Sequence, residues 1–238
     1  MTFTDTFLTQ TIASIAALDQ EKIDTIADVL YDLRQYHYRR LFILGVGGSA
    51  GHASHAVNDF RKICGIEAYA PTDNVSELTA RTNDEGFETF FVEWLKVSNL
   101  NSGDVLLFFS VGGGDLEKNV SVGLINAAML AHERGSTIIS IVGKEDGYLA
   151  KNSDYALVIP VYDDNLRTPL TESITAVVWH LLVSHPKLKK NQTKWEGILN
   201  KPVPYEDETP YVDEPPYNNN KRMGALYEVW MEELENQI

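Results

Sequence analysis

The chain has one cysteine among its 238 residues, Cys64, so no intrachain disulfide can brace it. Positive charge is scarce: 20 Lys and Arg stand against 34 Asp and Glu, a formal net charge of −14. Nucleic acid is held by clustered basic side chains, and an anionic bilayer attracts the same clusters, so neither partner fits this balance. No apolar run approaches the ~20 residues that span a bilayer. The opening segment MTFTDTFLTQ lacks the basic stretch and apolar core of a secretory signal. The expectation is a soluble, cytoplasmic protein with no nucleic-acid or membrane partner. Such an acidic chain can still hold a small phosphorylated ligand if backbone N–H groups, rather than cations, supply the contacts.

What is present is a repeating grammar. Residues 5–36 show apolar residues at helical spacing and read as two helices, broken near Leu18–Asp19 with LDQEK as a cap. Short runs rich in Val, Ile, Leu and Phe follow at 41–45, 66–70, 104–110, 137–142 and 155–160. They alternate with helical segments at 50–63, 85–98, 117–134 and from RTPLTES to SHP, with Thr168 as N-cap and Pro169 in the first helical position. Near-continuous apolar strands are buried on both faces. Five of them with helical crossovers predict an α/β fold, a three-layer αβα sandwich on a five-stranded parallel sheet. The boundary falls at 199. Beyond it KPVPYEDETPYVDEPPYNNNK reads as an extended arm, ending in a short amphipathic helix with Leu226, Val229, Trp230 and Leu234 on one side. The arm is either a surface tail or laid on a neighbouring subunit.

Two segments carry glycines at strand ends. GVGGSAG satisfies G-x-G-x-x-A at Gly45, Gly47 and Ala50, but the acidic residue that would hold a ribose is misplaced: Glu67 is at the wrong end of its strand and Asp73 lies beyond a proline. The second, SVGGGD, runs from Ser110. Each alone reads as a tight turn. Two of them on one parallel sheet converge on the edge where open α/β sheets bind ligands, and glycine-rich N–H cradles suit a phosphate.

Ionisable side chains lie close by. His55 and Asp59 are four apart and share a helix face. Glu172 and His180 lie in an otherwise apolar helix. Singly, these read as a surface pair and a buried histidine. Together, two imidazoles and two carboxylates suit a divalent cation such as Zn²⁺, or general acid–base catalysis. Glu172 and His180 are eight residues apart, ~12 Å along a straight helix. Either the helix begins after Glu172, or two subunits share the site. Asn83 and Asp84 read as caps of the next helix, or as contacts to a substrate hydroxyl.

These motifs in this order, over residues 5–190, resemble the SIS (sugar isomerase) domain family, and within it the phosphoheptose isomerases. The resemblance rests on Gly-Gly-Ser-Ala at 47–50, His-x-x-x-acid at 55 and 59, Thr82 through Gly86, Gly-Asp-Val-Leu at 103–106, the Ser110 loop, and the acid-to-His spacing at 172 and 180. It implies conversion of sedoheptulose 7-phosphate to manno-heptose 7-phosphate. Gly47, Gly48, Ser49, Asn83 and Asp84 would lie against the sugar, and Ser110, Val111, Gly112, Gly113 and Asp115 at the phosphate. His55, Asp59, Glu172 and His180 would match the zinc positions. Asp59, Glu172 and His180 would be the catalytic candidates, with Asp59 and Glu172 also touching substrate. A homotetramer with sites between subunits is implied as well. This chain departs from the family pattern. The phosphate loop usually reads Ser-Thr-Ser-Gly-x-Ser, the acid at 59 is usually Glu, and position 172 is usually Gln. Asp115 should repel phosphate unless it points away or pairs with Lys118.

Overall fold

The computed structural model describes residues 2–191; the expected arm and terminal helix at 200–238 lie outside the described residues. Two helices come first, α1 (Phe3–Ala16) and α2 (Gln20–Arg34). The break between them is where the sequence places it. Asp19 caps α2 by accepting from the Lys22 N–H at 3.0 Å.

The sheet follows, with β1 (Leu41–Leu44), β2 (Ala68–Tyr69), β3 (Val105–Ser110), β4 (Thr137–Val142) and β5 (Tyr155–Val158). Every pairing is parallel and the order is β2-β1-β3-β4-β5. The expected three-layer α/β sandwich is therefore present. Side chains alternate across the sheet, as a period of two requires. Leu41, Ile43, Val105, Leu107 and Phe109 enter one core with Leu30, Phe60 and Trp179. Phe42, Leu44, Leu106 and Phe108 enter the other with Phe90, Phe91 and Leu124.

The crossovers are α3 (Gly48–Lys62), α4 (Val75–Glu85), α5 (Phe87–Val97), α6 (Val122–Arg134) and the short α7 (Tyr148–Asn152); α8 (Arg167–Ser184) closes the described fold. Three boundaries differ from expectation. Helix α4 was not expected. It buries no residue fully, so it shows no apolar stripe; the Asn74 cap and the Glu77–Arg81–Glu85 ion pairs define it instead. Helix α6 starts at 122 rather than 117, because Asp115 and Val120 exchange backbone hydrogen bonds and form a tight antiparallel bridge. Helix α8 starts at Arg167 after a 3-10 turn at Asp164–Leu166, so its N-cap is Leu166 and not Thr168. Pro169 is then the third helical residue, where its missing N–H still has no intrahelical acceptor to lose.

The strand order places the site. From β1 the chain crosses to β2 on one side, then returns to β3 on the other, so the carboxyl ends of β1 and β3 flank the topological switch point. Among the described residues no helix is long and apolar enough to cross a membrane.

Cys64 is fully buried beneath this frame, and burial pushes its thiol up to about 12. The thiolate is the reactive form. The native protein is therefore expected to resist alkylation at pH 8 over hours and to react within minutes once unfolded in denaturant. Rapid labelling of the native chain, read by mass spectrometry, would contradict this packing.

Candidate functional site

The first loop turns from β1 into α3. Gly47 has φ +64° and ψ −126°, a conformation that L side chains rarely adopt. A Cβ on Gly45 would lie 2.5 Å from the Ser49 backbone. Gly48 opens α3, and a Cβ there would lie 2.6 Å from Glu172 Oε1. The missing side chain thus lets a carboxylate from α8 rest against the amino end of α3, where the helix dipole favours negative charge. Ser49 is buried just inside.

Along α3 the same face carries Gly48, His52, His55 and Asp59, spaced by four, three and four residues. His52 escaped the sequence reading, although its place in this stripe was visible. It is half-buried, and burial pushes its imidazole below the usual value. The Glu172 charge opposes that shift, while His55 and His180 add to it. His52 is thus flanked by the carboxylate at one end and the two imidazoles at the other.

Farther along, His55, Asp59 and His180 each bring one ligand atom within 4.8 Å of the others, with Asp59 buried and both histidines exposed. His55 Nε2 stands 3.8 Å from Asp59 Oδ2. The other Asp59 oxygen accepts from Asn58 Nδ2 at 2.8 Å. His180 Nδ1 lies 2.8 Å from the Ala176 carbonyl. Donation to that carbonyl puts the proton on Nδ1 and leaves Nε2 with a free lone pair. Metal-binding histidines are held in this way. Two neutral imidazoles and a carboxylate make a suitable donor set for Zn²⁺ with one position open. Glu172 is not in this group. It lies two turns earlier in the same helix, so the possibility that α8 begins after it is removed.

The second loop is built differently. Ser110 is buried and its Oγ accepts from the Gly113 N–H at 3.1 Å. Gly113 and Gly114 have φ of +72° and +86°. The loop lies on the segment after β4. Gly143 N–H donates to the Val111 carbonyl at 2.9 Å, Leu149 N–H to Gly113 at 2.8 Å and Tyr148 N–H to Gly114 at 2.9 Å. Val111 and Gly112 are partly open to solvent. Asp115 is paired: Lys118 Nζ lies 2.7 Å from Oδ2 and the Lys118 N–H donates to Oδ1. The hydrogen bond from the Lys118 side chain holds the Asp115 carboxyl below its usual range.

The third segment departs from the capping reading. Asn83 and Asp84 sit exposed in the last turn of α4, where Asn83 Nδ2 donates to Asp84 Oδ1 at 2.7 Å. Neither caps α5, whose N-cap is Gly86 with no side-chain bond. Gly86 has φ +93° and serves as the end of one helix and the start of the next.

Comparison with known proteins adds a family frame. The SIS domain model matches residues 5–143. The lincomycin biosynthesis protein LmbN of Streptomyces lincolnensis is 36% identical over 152 residues, covering 59% of this chain and 54% of that protein. A phosphoheptose isomerase of Nitratidesulfovibrio vulgaris is 33% identical over 149 residues, covering 60% of this chain and 66% of that protein. The chain thus spans about half the length of the first of these curated relatives and just under two thirds of the second. A phosphoheptose isomerase of Geotalea daltonii is 30% identical over 166 residues, covering 68% of this chain and 80% of that protein. The structure of phosphoheptose isomerase GmhA from Neisseria gonorrhoeae superposes with a TM-score of 0.64 at 24% identity, covering 76% of this chain and 96% of that one.

The second loop depends on a glycine that is not in it. A Cβ on Gly147 would lie 2.2 Å from the Gly112 carbonyl oxygen and 3.0 Å from Gly113 Cα, backbone that cannot rotate away. Gly147→Ala is expected to lower stability by about 1–3 kcal/mol, measured as a shift of the urea midpoint. An unchanged midpoint would show that the loop does not rest on this segment.

Proposed function

The chain belongs to the SIS domain family, and from that premise we propose that it is an aldose–ketose isomerase of a phosphorylated sugar. The proposed reaction is sedoheptulose 7-phosphate to manno-heptose 7-phosphate. Residues 1–199 would form the isomerase domain and 200–238 an appended arm. The observation that carries the reading is the pair of glycine-lined loops at the carboxyl ends of neighbouring strands β1 and β3, with a buried carboxylate and one imidazole on the helix that leaves the first loop and a second imidazole brought to them by α8.

The reaction moves one proton between adjacent carbons through an enediol, with no net oxidation. A carboxylate must take the proton, and a donor must serve the oxygen as the carbonyl changes carbon. Asp59 is suited to the first task. It is buried, and Asn58 fixes one of its oxygens. His180, held through Nδ1, shares the cluster with Asp59 and His55 and can shuttle the second proton through Nε2. Glu172 is the rival base, placed at the first loop. His55, Asp59 and His180 are the residues that would hold a divalent cation such as Zn²⁺, which when bound stabilises negative charge on the sugar oxygens. Gly47, Gly48 and Ser49 would line the sugar. The backbone from Ser110 to Gly113 would take the phosphate, whose binding energy is then available at the reacting carbons. The Lys118 pairing removes the objection that Asp115 would repel that phosphate.

His55 lies seven residues beyond Gly48, ~10 Å along α3. A ligand worked on at the cluster and held at the loops must be long, or the cluster must serve the loops of a second copy. Self-association, with a homotetramer as the proposed state, has support in α1. Its residues Leu8, Ile12 and Ile15 share one face and remain exposed, as does Phe3, and α1 packs on α8.

One observation favours a second reading, a phosphosugar-binding module without turnover. The loop Ser110-Val111-Gly112-Gly113-Gly114-Asp115 carries fewer hydroxyl donors than the family pattern, and the Ser110 Oγ already accepts from the Gly113 N–H.

Incubation with sedoheptulose 7-phosphate separates the two. Turnover is expected from the wild type, with a loss of at least a hundredfold in Asp59→Asn at unchanged thermal stability. Full activity in Asp59→Asn rejects the assigned base. Ligand-induced stabilisation of the wild type without product selects the binding module. Light scattering is expected to give a mass several times 26.7 kDa, reduced by Ile12→Asp. An active monomer would contradict the shared site.

A further inference from the structure

The cluster of His55, Asp59 and His180 has a floor that the reaction does not use. Trp179 is fully buried in the core on the α8 side of the sheet. Its ring meets both imidazoles. The His55 ring stands edge-on to it, with centroids 4.7 Å apart and planes at 65°. The His180 ring lies nearly parallel to it, with centroids 3.5 Å apart and planes at 28°. The two imidazoles are themselves 5.5 Å apart and perpendicular. One indole therefore touches the two histidines from two different helices and sets the angle between them.

We propose that Trp179 is the positioning residue of the cation site: it fixes His55 and His180 at their relative angle and closes the buried side of the cluster to water. The proposal rests on reading His55, Asp59 and His180 as ligands. Both histidines are exposed, and an exposed imidazole samples several rotamers unless something holds it. His180 is held by two things, the Ala176 carbonyl on Nδ1 and the indole face. His55 shows one weak polar contact, 3.8 Å to Asp59, so the indole edge is its main constraint. A ligand set held before the ion arrives loses less freedom on binding. The aromatic wall also lowers the local dielectric, which strengthens attraction between carboxylate and cation.

Trp179 has a structural cost that bears on the choice of variants. Its indole Nε1 is buried with no hydrogen-bond partner. Phe keeps an aromatic surface and removes that unsatisfied donor, so Trp179→Phe is expected to fold. Trp179→Leu removes the aromatic surface altogether. Val178→Ala removes buried volume from the same helix and serves as the control for simple loosening of the core.

The test is Co²⁺ binding by the full-length chain, followed by its visible absorption and by titration, with circular dichroism to confirm folding. The wild type is expected to give a saturable spectrum. Trp179→Leu should weaken the ion at least tenfold and shift the absorption bands, Trp179→Phe should recover most of the affinity, and Val178→Ala should match the wild type. A Trp179→Leu protein with wild-type affinity and bands overturns this inference while leaving the cation site intact. If Trp179→Leu does not fold, Trp179→Met, which keeps more of the volume without the aromatic ring, decides: a weaker affinity with displaced bands supports the role, and values identical to the wild type reject it. Equal weakening in Val178→Ala also rejects it, because core loosening alone would then account for the loss. A wild type that gives no spectrum overturns the cation reading itself, a result distinct from all of these.

Discussion

The register of α3 against α8 is the constraint from which the site follows. The two helices run side by side in the same direction, with Glu172 at Gly48 and His180 at His55 and Asp59. Gly48 leaves room for this placement: a Cβ there would lie 2.6 Å from Glu172 Oε1, and the carboxylate would have to turn aside. The register is locked farther along by the core packing of Phe60 and Trp179. Slide one helix by a turn, ~5.4 Å, and the carboxylate leaves the mouth of the first loop while the two imidazoles part. The site is thus a product of helix packing beneath the sheet edge as much as of the loops above it.

Electrostatics leaves room for so acidic a chain to hold the phosphate proposed for it. The candidate cradle consists of backbone N–H groups at strand ends, which carry no net charge. Asp115, the acid within that loop, is paired with Lys118. The Glu172 carboxylate at the amino end of α3 shows that this end already accepts negative charge. An incoming anion has to share that end with Glu172 or displace it. This gives Glu172, where the family pattern has an amide, a direct influence on what the crevice admits.

Much of the fold was legible in the sequence because its signals are strong. Five apolar runs separated by helix-length segments leave few alternatives to a parallel sheet, and Asp19 marked the start of α2 by its chemistry. Helix α4 was not legible, since it is held by a cap and ion pairs instead of an apolar stripe. The bridge between Asp115 and Val120 was hidden for a related reason: backbone bonds between residues five apart leave no compositional mark. In the site, His55 with Asp59 could be read from spacing, and the need for Asp115 to find a partner could be read from charge. The role of Asn83 and Asp84 as caps could not survive, because the helix expected after them was preceded by another that contains them. His52 and Trp179 were passed over since each looks ordinary alone. One is a polar residue on an amphipathic helix and the other an aromatic residue in an apolar one, and only the packing of α3 on α8 brings them to the same place.

The central claim is that the cation donors and the two glycine-lined loops serve one ligand. An anomalous-difference map from a crystal grown with Zn²⁺ and sedoheptulose 7-phosphate tests it most directly. The account predicts a zinc peak among His55, Asp59 and His180, and a sugar phosphate that reaches it from the loops at Gly47–Ser49 and Ser110–Gly113, whether of the same copy or of a neighbouring one. Zinc at these residues with the phosphate bound away from both loops would contradict it.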